Sequence, residues 1–199
     1  VMVEVFDQLL NPAPSIKMPD WPMFNKLTGG LRMHEFTIIC GSTGSGKTSI
    51  VSNISAQLIK CNVKHFVMSI ETGHVDFMTR VTSIFAKKDL NALDYPMSPE
   101  EASRILTNNQ KNLMTDLVKL STFDNRVKLE VLLDDLTNMC KEGCKVAIID
   151  NLNFLLEVTR SSEAIIEMDR VVHELIMFCK RNEMHLILIM HQIGRASCR

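Results

Sequence analysis

The chain alternates between two patterns of hydrophobic and polar residues, one typical of buried strands and the other of amphipathic helices. Runs rich in apolar residues predict strands over residues 36–40, 63–70, 117–123, 146–150 and 185–190. The continuous apolar run that ends at Asp150 is typical of a strand buried on both faces of a parallel sheet. Between these runs, apolar residues recur at helical spacing over residues 50–58, 74–87, 98–113, 128–140 and 165–179. The alternation predicts an α/β fold in which helices flank a mostly parallel central sheet.

Proline and glycine indicate where these elements begin and end. Ser98, Pro99 and Glu101 form the signature of a helix start. Gly143 follows the helix predicted over residues 128–140 and ends it. Four prolines lie within residues 11–22, which are therefore predicted to form a linker or N-terminal arm without regular structure.

No pattern of ligand-binding residues includes Trp21, His173 or His185. Trp21, next to Pro22, is predicted to be a packing anchor, and a ring that stacks on a ligand is the alternative. His173 and His185 lie outside any metal or catalytic spacing, and we expect both at surface or edge positions.

The composition fits one globular domain without an overall attraction to nucleic acid or to a membrane. With 199 residues, of which 46% are hydrophobic and 23% charged, the chain can form one core. A formal net charge of −1 gives no general basic field, so any contact with nucleic acid must be local and shared among several subunits. We expect no membrane insertion, because no apolar run reaches membrane-spanning length. No targeting segment is visible, although the chain does not begin with methionine.

The six cysteines form no C-x-x-C pair. We therefore expect reduced thiols with a structural role. Cys140 and Cys144 lie four residues apart, which leaves a zinc site as the alternative.

The stretch GSTGSGKT carries the most specific chemistry in the chain. It matches G-x-x-x-x-G-K-[ST] and lies between a predicted strand and a predicted helix, as a phosphate-binding loop requires. The candidate nucleotide-binding residues are Gly41, Ser42, Thr43, Gly44, Ser45, Gly46, Lys47 and Thr48. Glycines let backbone N–H groups approach phosphates closely, the Lys47 ammonium would reach the β and γ phosphates, and the Thr48 hydroxyl would bind Mg²⁺. A glycine-rich turn that binds nothing is the alternative.

Polar residues follow three of the predicted strands. Glu71 follows the run 63–70, Asp150 closes the run 146–150, and His191 follows the run 185–190. The carboxyl ends of strands in an open α/β sheet face the ligand crevice. Glu71 is therefore the candidate base that orients the attacking water. Asp150 is the candidate to hold the hydration shell of Mg²⁺, and His191 the candidate sensor of the γ phosphate. A solvated turn residue is the alternative for Glu71, and a helix cap or turn acid for Asp150.

With these features the chain resembles the RecA-like motor domain of hexameric replicative DNA helicases, of the DnaB-like class and nearest to the mitochondrial Twinkle-type and phage T7-type members. The resemblance extends over about residues 24–191 and is carried by FNKLTGG (24–30), EFTIICGSTGSGKT (35–48), SIE (69–71), AIIDNLNFLL (147–156) and IMH (189–191). It implies a RecA-like P-loop ATPase that uses ATP and Mg²⁺ and unwinds DNA in the 5′-to-3′ direction. It also implies that Lys47, Thr48, Glu71, Asp150 and His191 have the roles given above.

The resemblance further implies partners and a location. Such helicases are rings of identical subunits, hexamers or heptamers, with ATP between subunits and single-stranded DNA in the channel. Arg160, in the loop after Asp150, is the candidate DNA contact, and a solvated loop charge is the alternative. The location would be mitochondrial for a Twinkle-type protein and cytoplasmic for a bacterial or phage protein.

Two other functions fit parts of the same pattern. A recombinase or clock-type relative of RecA, similar to RadA or KaiC, would bind DNA or protein without unwinding, and the LTGGL stretch with the glycine loop fits it equally well. A nucleotide-gated interaction module without enzymatic activity is the second alternative.

The two ends of the chain are expected to differ from its centre. We divide it into an N-terminal arm or linker (1–23), a RecA-like ATPase domain truncated at its C-terminus (24–192) and a non-native tail (193–199). The tail IGRASCR resembles the translation of a sequencing-library adapter, which also puts Gln192 in doubt; an ordinary polar C-terminus is the alternative. The family's arginine finger and a DNA-binding loop would follow the chain, and its oligomerisation linker would precede it.

Overall fold

The computed structural model describes residues 10, 13–69, 72–90, 97–113, 116–122, 127–151 and 162–191. The strands are β1 (Ser15–Ile16), β2 (Leu31–Arg32), β3 (Phe36–Gly41), β4 (His65–Ser69), β5 (Val118–Thr122), β6 (Val146–Asp150) and β7 (His185–His191). The helices are α1 (Pro22–Thr28), α2 (Lys47–Lys60), α3 (His74–Ala86), α4 (Pro99–Leu113), α5 (Leu129–Lys141) and α6 (Ser162–Arg181). Within these residues, none of the helices is both long and apolar enough to cross a membrane.

The main sheet confirms the predicted α/β architecture. Its strands are all parallel and follow the order β3-β7-β6-β4-β5. All their carboxyl ends therefore lie along one edge, named here the carboxyl edge, and all their amino ends along the opposite amino edge. Each residue of β4 and of β6 is buried, as expected of strands covered on both faces.

Successive residues of each central strand face opposite layers of helices. In β6, Ala147 and Ile149 pack in the cluster with Leu132 of α5 and Leu175 of α6. Val146 and Ile148 pack in the cluster that contains Val51 of α2 and Phe77 of α3. The apolar runs thus form the middle of three layers, and the hydrophobic effect stabilises them from both sides.

The arm before β3 is more regular than predicted. Pro22 does not interrupt structure but begins α1, where its missing N–H costs nothing because the first N–H groups of a helix have no helical partner. Strand β1 lies within the predicted linker and pairs antiparallel with β2. The prediction that residues 11–22 lack regular structure was therefore wrong for β1 and for the start of α1.

Side chains fasten this arm to the domain. The Asn25 side chain donates to the Met18 carbonyl at 2.7 Å and accepts from the Met18 N–H at 2.8 Å, so one amide satisfies both backbone groups of a buried residue. Trp21 packs edge-on against Phe24 with ring centroids 5.8 Å apart and contacts the core, which confirms it as a packing anchor.

The two histidines expected at the surface have different environments. His173 of α6 is exposed, as expected. His185 is only 1% exposed and begins β7, a strand with neighbours on both sides. The expectation for His185 was wrong, because hydrogen bonds to both ring nitrogens allow a neutral imidazole to be buried.

Candidate phosphate-binding site

The glycine loop connects β3 to α2 in the conformation that its sequence predicts. Gly44 and Gly46 have φ angles of 77° and 85°, which side chains disfavour. A Cβ added to either would meet no atom within 4 Å. Conformation therefore explains these glycines, and the open space beside them leaves the loop backbone accessible to a ligand.

The first turn of α2 is suited to an anion. Gly46 caps the helix, the Ile50 N–H donates to the Gly46 carbonyl at 3.0 Å, and the first turn contains no acidic residue. The N–H groups that begin a helix lack helical acceptors and lie at the positive end of its dipole. Phosphate oxygens would be suitable acceptors for this turn.

Lys47 lies directly above the loop. Its side chain is 9% exposed, and its ammonium donates to the Gly41 carbonyl at 3.0 Å and to the Ser42 carbonyl at 2.6 Å. These bonds hold a cation beside the loop backbone, where phosphates would bind. Thr48 follows on the same turn and is half-buried. The glycine geometry, the helix start and this cation together fit the phosphates of a nucleotide.

The register of the sheet brings the other polar strand ends to the same edge. Gly41 of β3 pairs with His191 of β7, Ile189 of β7 pairs with Asp150 of β6, and Asp150 pairs with Ser69 of β4. Strand spacing places Asp150 about 10 Å from Ile39 of β3, with which it is in register two strands away. Asp150 is 3% exposed, and the neighbouring Asn151 is fully buried. A carboxylate at this depth can act on a metal ion held between it and Thr48.

Only some of the predicted site residues are thus brought together in the part of the chain that the structure describes. Gly41 to Thr48 and Asp150 lie at the carboxyl edge, as does the backbone of His191. The His191 side chain, Glu71 and Arg160 lie outside the described residues, so their predicted roles stay predictions.

Ser69 is a polar residue of the carboxyl edge that the sequence reasoning missed. It ends β4, is 5% exposed, and accepts the Thr72 N–H on its hydroxyl at 3.0 Å. In the sequence Ser69 lies inside the run 63–70, before Ile70, so the signal used for Asp150 indicated Glu71 and not Ser69.

Of the five cysteines that the structure describes, Cys144 and Cys179 are buried and fit a packing role, whereas Cys40 is exposed. Burial raises the pKa of the Cys144 thiol to about 11 and that of the Cys179 thiol to about 12, which keeps both protonated and unreactive. Among the described residues, no group of three or more His, Cys, Asp and Glu side chains is placed to hold a metal ion.

The amino edge has different chemistry. His65 begins β4, is fully buried, and burial lowers its pKa to about 4. Burial also lowers the pKa of His185, which begins β7. A cavity of about 350 Å³ opens at this edge beside β1 and is lined in part by Val63, Lys64 and Lys145.

Comparison with known proteins gives one family and several similar folds. Residues 19–198 match the DnaB-like helicase C-terminal domain. A solved DnaB-like replicative helicase, described with its interactions with primase, has a TM-score of 0.79 and 12% identity over 100% of this chain and 50% of that chain. A second solved structure, an ATPase domain, has a TM-score of 0.77 and 12% identity over 96% of this chain and 69% of that chain. At this identity the two structures show the fold, and the chain spans half the length of the first.

Proposed function

The chain belongs to the DnaB-like helicase C-terminal domain family, and on that premise we propose that it is the ATP-hydrolysing motor of a replicative DNA helicase. The observation that carries the proposal is the meeting of the glycine loop, Lys47 and Asp150 at one edge of a fully parallel sheet. A loop that binds phosphates and an acid that acts on their metal ion are the minimum that nucleotide hydrolysis requires.

Each residue has a part in binding or hydrolysis. The loop N–H groups and Lys47 hold the phosphates, while Thr48 and Asp150 hold Mg²⁺ and its hydration shell. Glu71 orients the attacking water as a general base, and His191 responds to the γ phosphate. When bound, ATP supplies the phosphoanhydride to be cleaved, and Mg²⁺ neutralises charge on its oxygens.

The assembly is a ring of identical subunits, a hexamer or heptamer, that encircles single-stranded DNA and unwinds duplex in the 5′-to-3′ direction. These properties follow from the resemblance to Twinkle-type and phage T7-type helicases. Arg160 is the proposed DNA contact within this chain. The proposed location is mitochondrial for a Twinkle-type protein and cytoplasmic otherwise.

The experiment uses the full-length protein with a forked DNA substrate. We expect DNA-stimulated ATP hydrolysis and unwinding, both lost on Asp150→Asn or Glu71→Gln. Asp134→Asn, the same chemical change at an exposed position on α5, is the matched control and should retain both activities.

Two results would contradict the proposal in different ways. Hydrolysis without unwinding in the full-length protein would favour the recombinase or clock-type alternative. No hydrolysis in the presence of DNA would favour a nucleotide-gated interaction module. A subunit that is kept from assembling should bind nucleotide weakly and hydrolyse it poorly, because the neighbouring subunit is proposed to supply an arginine to the site.

A further inference from the structure

Strand β1 has one paired edge and one open edge. Ser15 lies opposite Arg32 of β2, and next to it the Pro14 carbonyl accepts the Met33 N–H at 2.9 Å. Antiparallel strands alternate between residues that bond to the partner strand and residues whose backbone groups point away from it. Since Pro14 bonds to β2, the N–H and the carbonyl of Ser15 point away from β2. Within the residues that the structure describes, neither group has a hydrogen-bond partner.

A cavity of about 350 Å³ lies along β1, beside the amino edge of the main sheet, and is named here the β1 cavity. Ser15 lines it, so a chain in the cavity would lie within reach of both free backbone groups. The volume is in the range of pockets that hold a ligand. The apolar lining residues are Pro14, Ile16, Met33 and Val63. The β1 cavity therefore offers hydrogen bonds and apolar contacts to the same occupant.

Three charged side chains, those of Lys64, Lys145 and Glu183, also line the β1 cavity. The Lys145 ammonium lies 2.5 Å from the Glu183 carboxylate, and the Lys64 ammonium donates to the Glu142 carbonyl at 2.9 Å. An ammonium has three hydrogens, so each lysine keeps donors for a further acceptor. Asp116, 3.9 Å from Lys64, is 84% exposed, and water screens its charge. Two cations and one anion at the cavity therefore favour an acidic occupant over a basic one.

We propose that the β1 cavity binds an extended segment of a separate protein, which adds to β1 as a third strand. The segment bonds to the N–H and the carbonyl of Ser15. It alternates β-branched apolar residues, which enter the cavity, with an acidic residue whose carboxylate pairs with Lys64 and Lys145. In such strand addition the backbone bonds give affinity and the alternate side chains give specificity. The proposal goes beyond the proposed function, because the cavity lies at the opposite edge of the sheet from the phosphate-binding loop.

The test uses the full-length protein and a fluorescein-labelled peptide of sequence TVEVT. In an extended chain its two valines lie on one side and its glutamate on the other, and valine and threonine favour strands. We expect saturable binding in fluorescence anisotropy. The peptide TVKVT should bind at least about tenfold more weakly, because a cation replaces the carboxylate that the lysines attract. No saturable binding of TVEVT, or equal affinity for both peptides, would overturn the proposal.

Two variants locate the bound peptide. Ser15→Pro removes the N–H that points away from β2, and proline is tolerated at the open edge of a strand. Lys145→Met removes one of the two ammonium groups. Each should weaken binding of TVEVT by about tenfold. Lys128→Met, the same change at the exposed N-cap of α5, is the matched control and should keep the affinity within about twofold.

Thermal unfolding checks that each variant keeps its fold. If Ser15→Pro does not fold, Lys145→Met at its exposed ion pair tests the site on its own. Affinity that Lys145→Met leaves unchanged would place the peptide elsewhere and overturn the proposal.

The size of the protein in solution distinguishes a separate partner from a second copy of this chain. Analytical ultracentrifugation should show the same assembly with and without saturating TVEVT. If the peptide dissociates the assembly, a second copy occupies the β1 cavity, and the proposal of a separate partner is wrong.

Discussion

The two edges of the sheet handle polar groups in opposite ways. At the carboxyl edge, the glycine loop leaves its backbone open, and Lys47 is held by loop carbonyls beside it. At the amino edge, the polar groups are satisfied within the protein. His65 is bonded through Nδ1 to the Val63 carbonyl at 3.0 Å and through Nε2 to the Ser55 hydroxyl at 2.8 Å.

His185 repeats the arrangement at the amino end of β7. Its Nδ1 lies 2.7 Å from the Arg32 carbonyl and its Nε2 lies 2.9 Å from the Thr37 hydroxyl. A carbonyl can only accept, so Nδ1 carries the proton and Nε2 accepts from the hydroxyl. Both rings are therefore neutral; His185 connects β7 to β2 and β3, and His65 connects the start of β4 to α2. The comparison indicates that changes at the carboxyl edge should alter nucleotide chemistry, while changes at the amino edge should alter stability.

The largest effect is expected at Lys47, where a substitution should change nucleotide binding but not stability. Lys47→Met should weaken binding of a fluorescent ATP analogue about 100-fold, or about 2.7 kcal/mol, because a cation beside the phosphates is lost. The thermal midpoint should change little, since water can reach the freed carbonyls. Lys60→Met, the same change at the other end of α2, should leave affinity intact. A large fall in the midpoint of Lys47→Met would contradict the division between the edges.

The second prediction concerns the pH dependence of stability at the amino edge. His65 has a pKa of about 4 in the folded protein against an ordinary value of 6.5, so the unfolded chain binds more protons between these values. Stability should therefore fall as the pH falls through this window, by about 2 kcal/mol from pH 7 to pH 5. The lowered pKa of His185 acts in the same direction.

Urea denaturation at pH 7 and pH 5 measures this loss. His65→Gln has no group that titrates in the window, so its stability should fall clearly less than that of the wild type. An equal fall in the stability of both proteins would show that His65 does not cause the pH dependence. Nucleotide affinity corrected for unfolding should be the same in both, because the ring lies at the far edge from the loop.

The third prediction removes the partner of His65 instead. Ser55→Ala leaves the buried Nε2 without its hydroxyl donor and should lower the free energy of unfolding by about 1 kcal/mol. Ser52→Ala, also buried on α2, removes a hydroxyl that donates to the Thr48 carbonyl at 3.0 Å, an acceptor that the helix already uses. Ser52→Ala should therefore lower the free energy of unfolding by less than Ser55→Ala does. Equal costs in chemical denaturation would mean that the His65 contact adds no stability.

The sequence predicted the carboxyl edge far better than the amino edge. The strands around Asp150 and the loop from Gly41 to Thr48 were predictable because continuous apolar runs and a fixed motif are local signals. His185 was placed wrongly because its burial depends on Arg32 and Thr37, which are distant in sequence. The insertion of β7 between β3 and β6 depends likewise on tertiary packing, which no local pattern encodes.

The arm shows a second limit of local signals. Pro22 was interpreted as a breaker, although proline is also favoured at the first position of a helix. In the structure the helix that Pro22 begins is fastened by two hydrogen bonds between Asn25 and Met18, seven residues apart. Ser69 was missed because it lies inside an apolar run, and its place beside Asp150 follows only from the register of β4 with β6.

The smallest expected effect lies at the exposed rim of the amino edge. Lys145 and Glu183 form an ion pair whose side chains are 46% and 57% exposed. Water screens such a pair, and holding two long side chains together costs entropy, so Lys145→Met should leave the urea midpoint within experimental error. The hydrogen bond from Lys145, followed by its charge, lowers the pKa of Glu183. That pKa should therefore return toward its ordinary value in the variant, as NMR titration of the carboxyl carbon can measure. A clear loss of stability in Lys145→Met would show that this exposed pair supports the sheet as strongly as the buried histidines do. If the pKa of Glu183 does not change in the variant, the ion pair is not formed in solution.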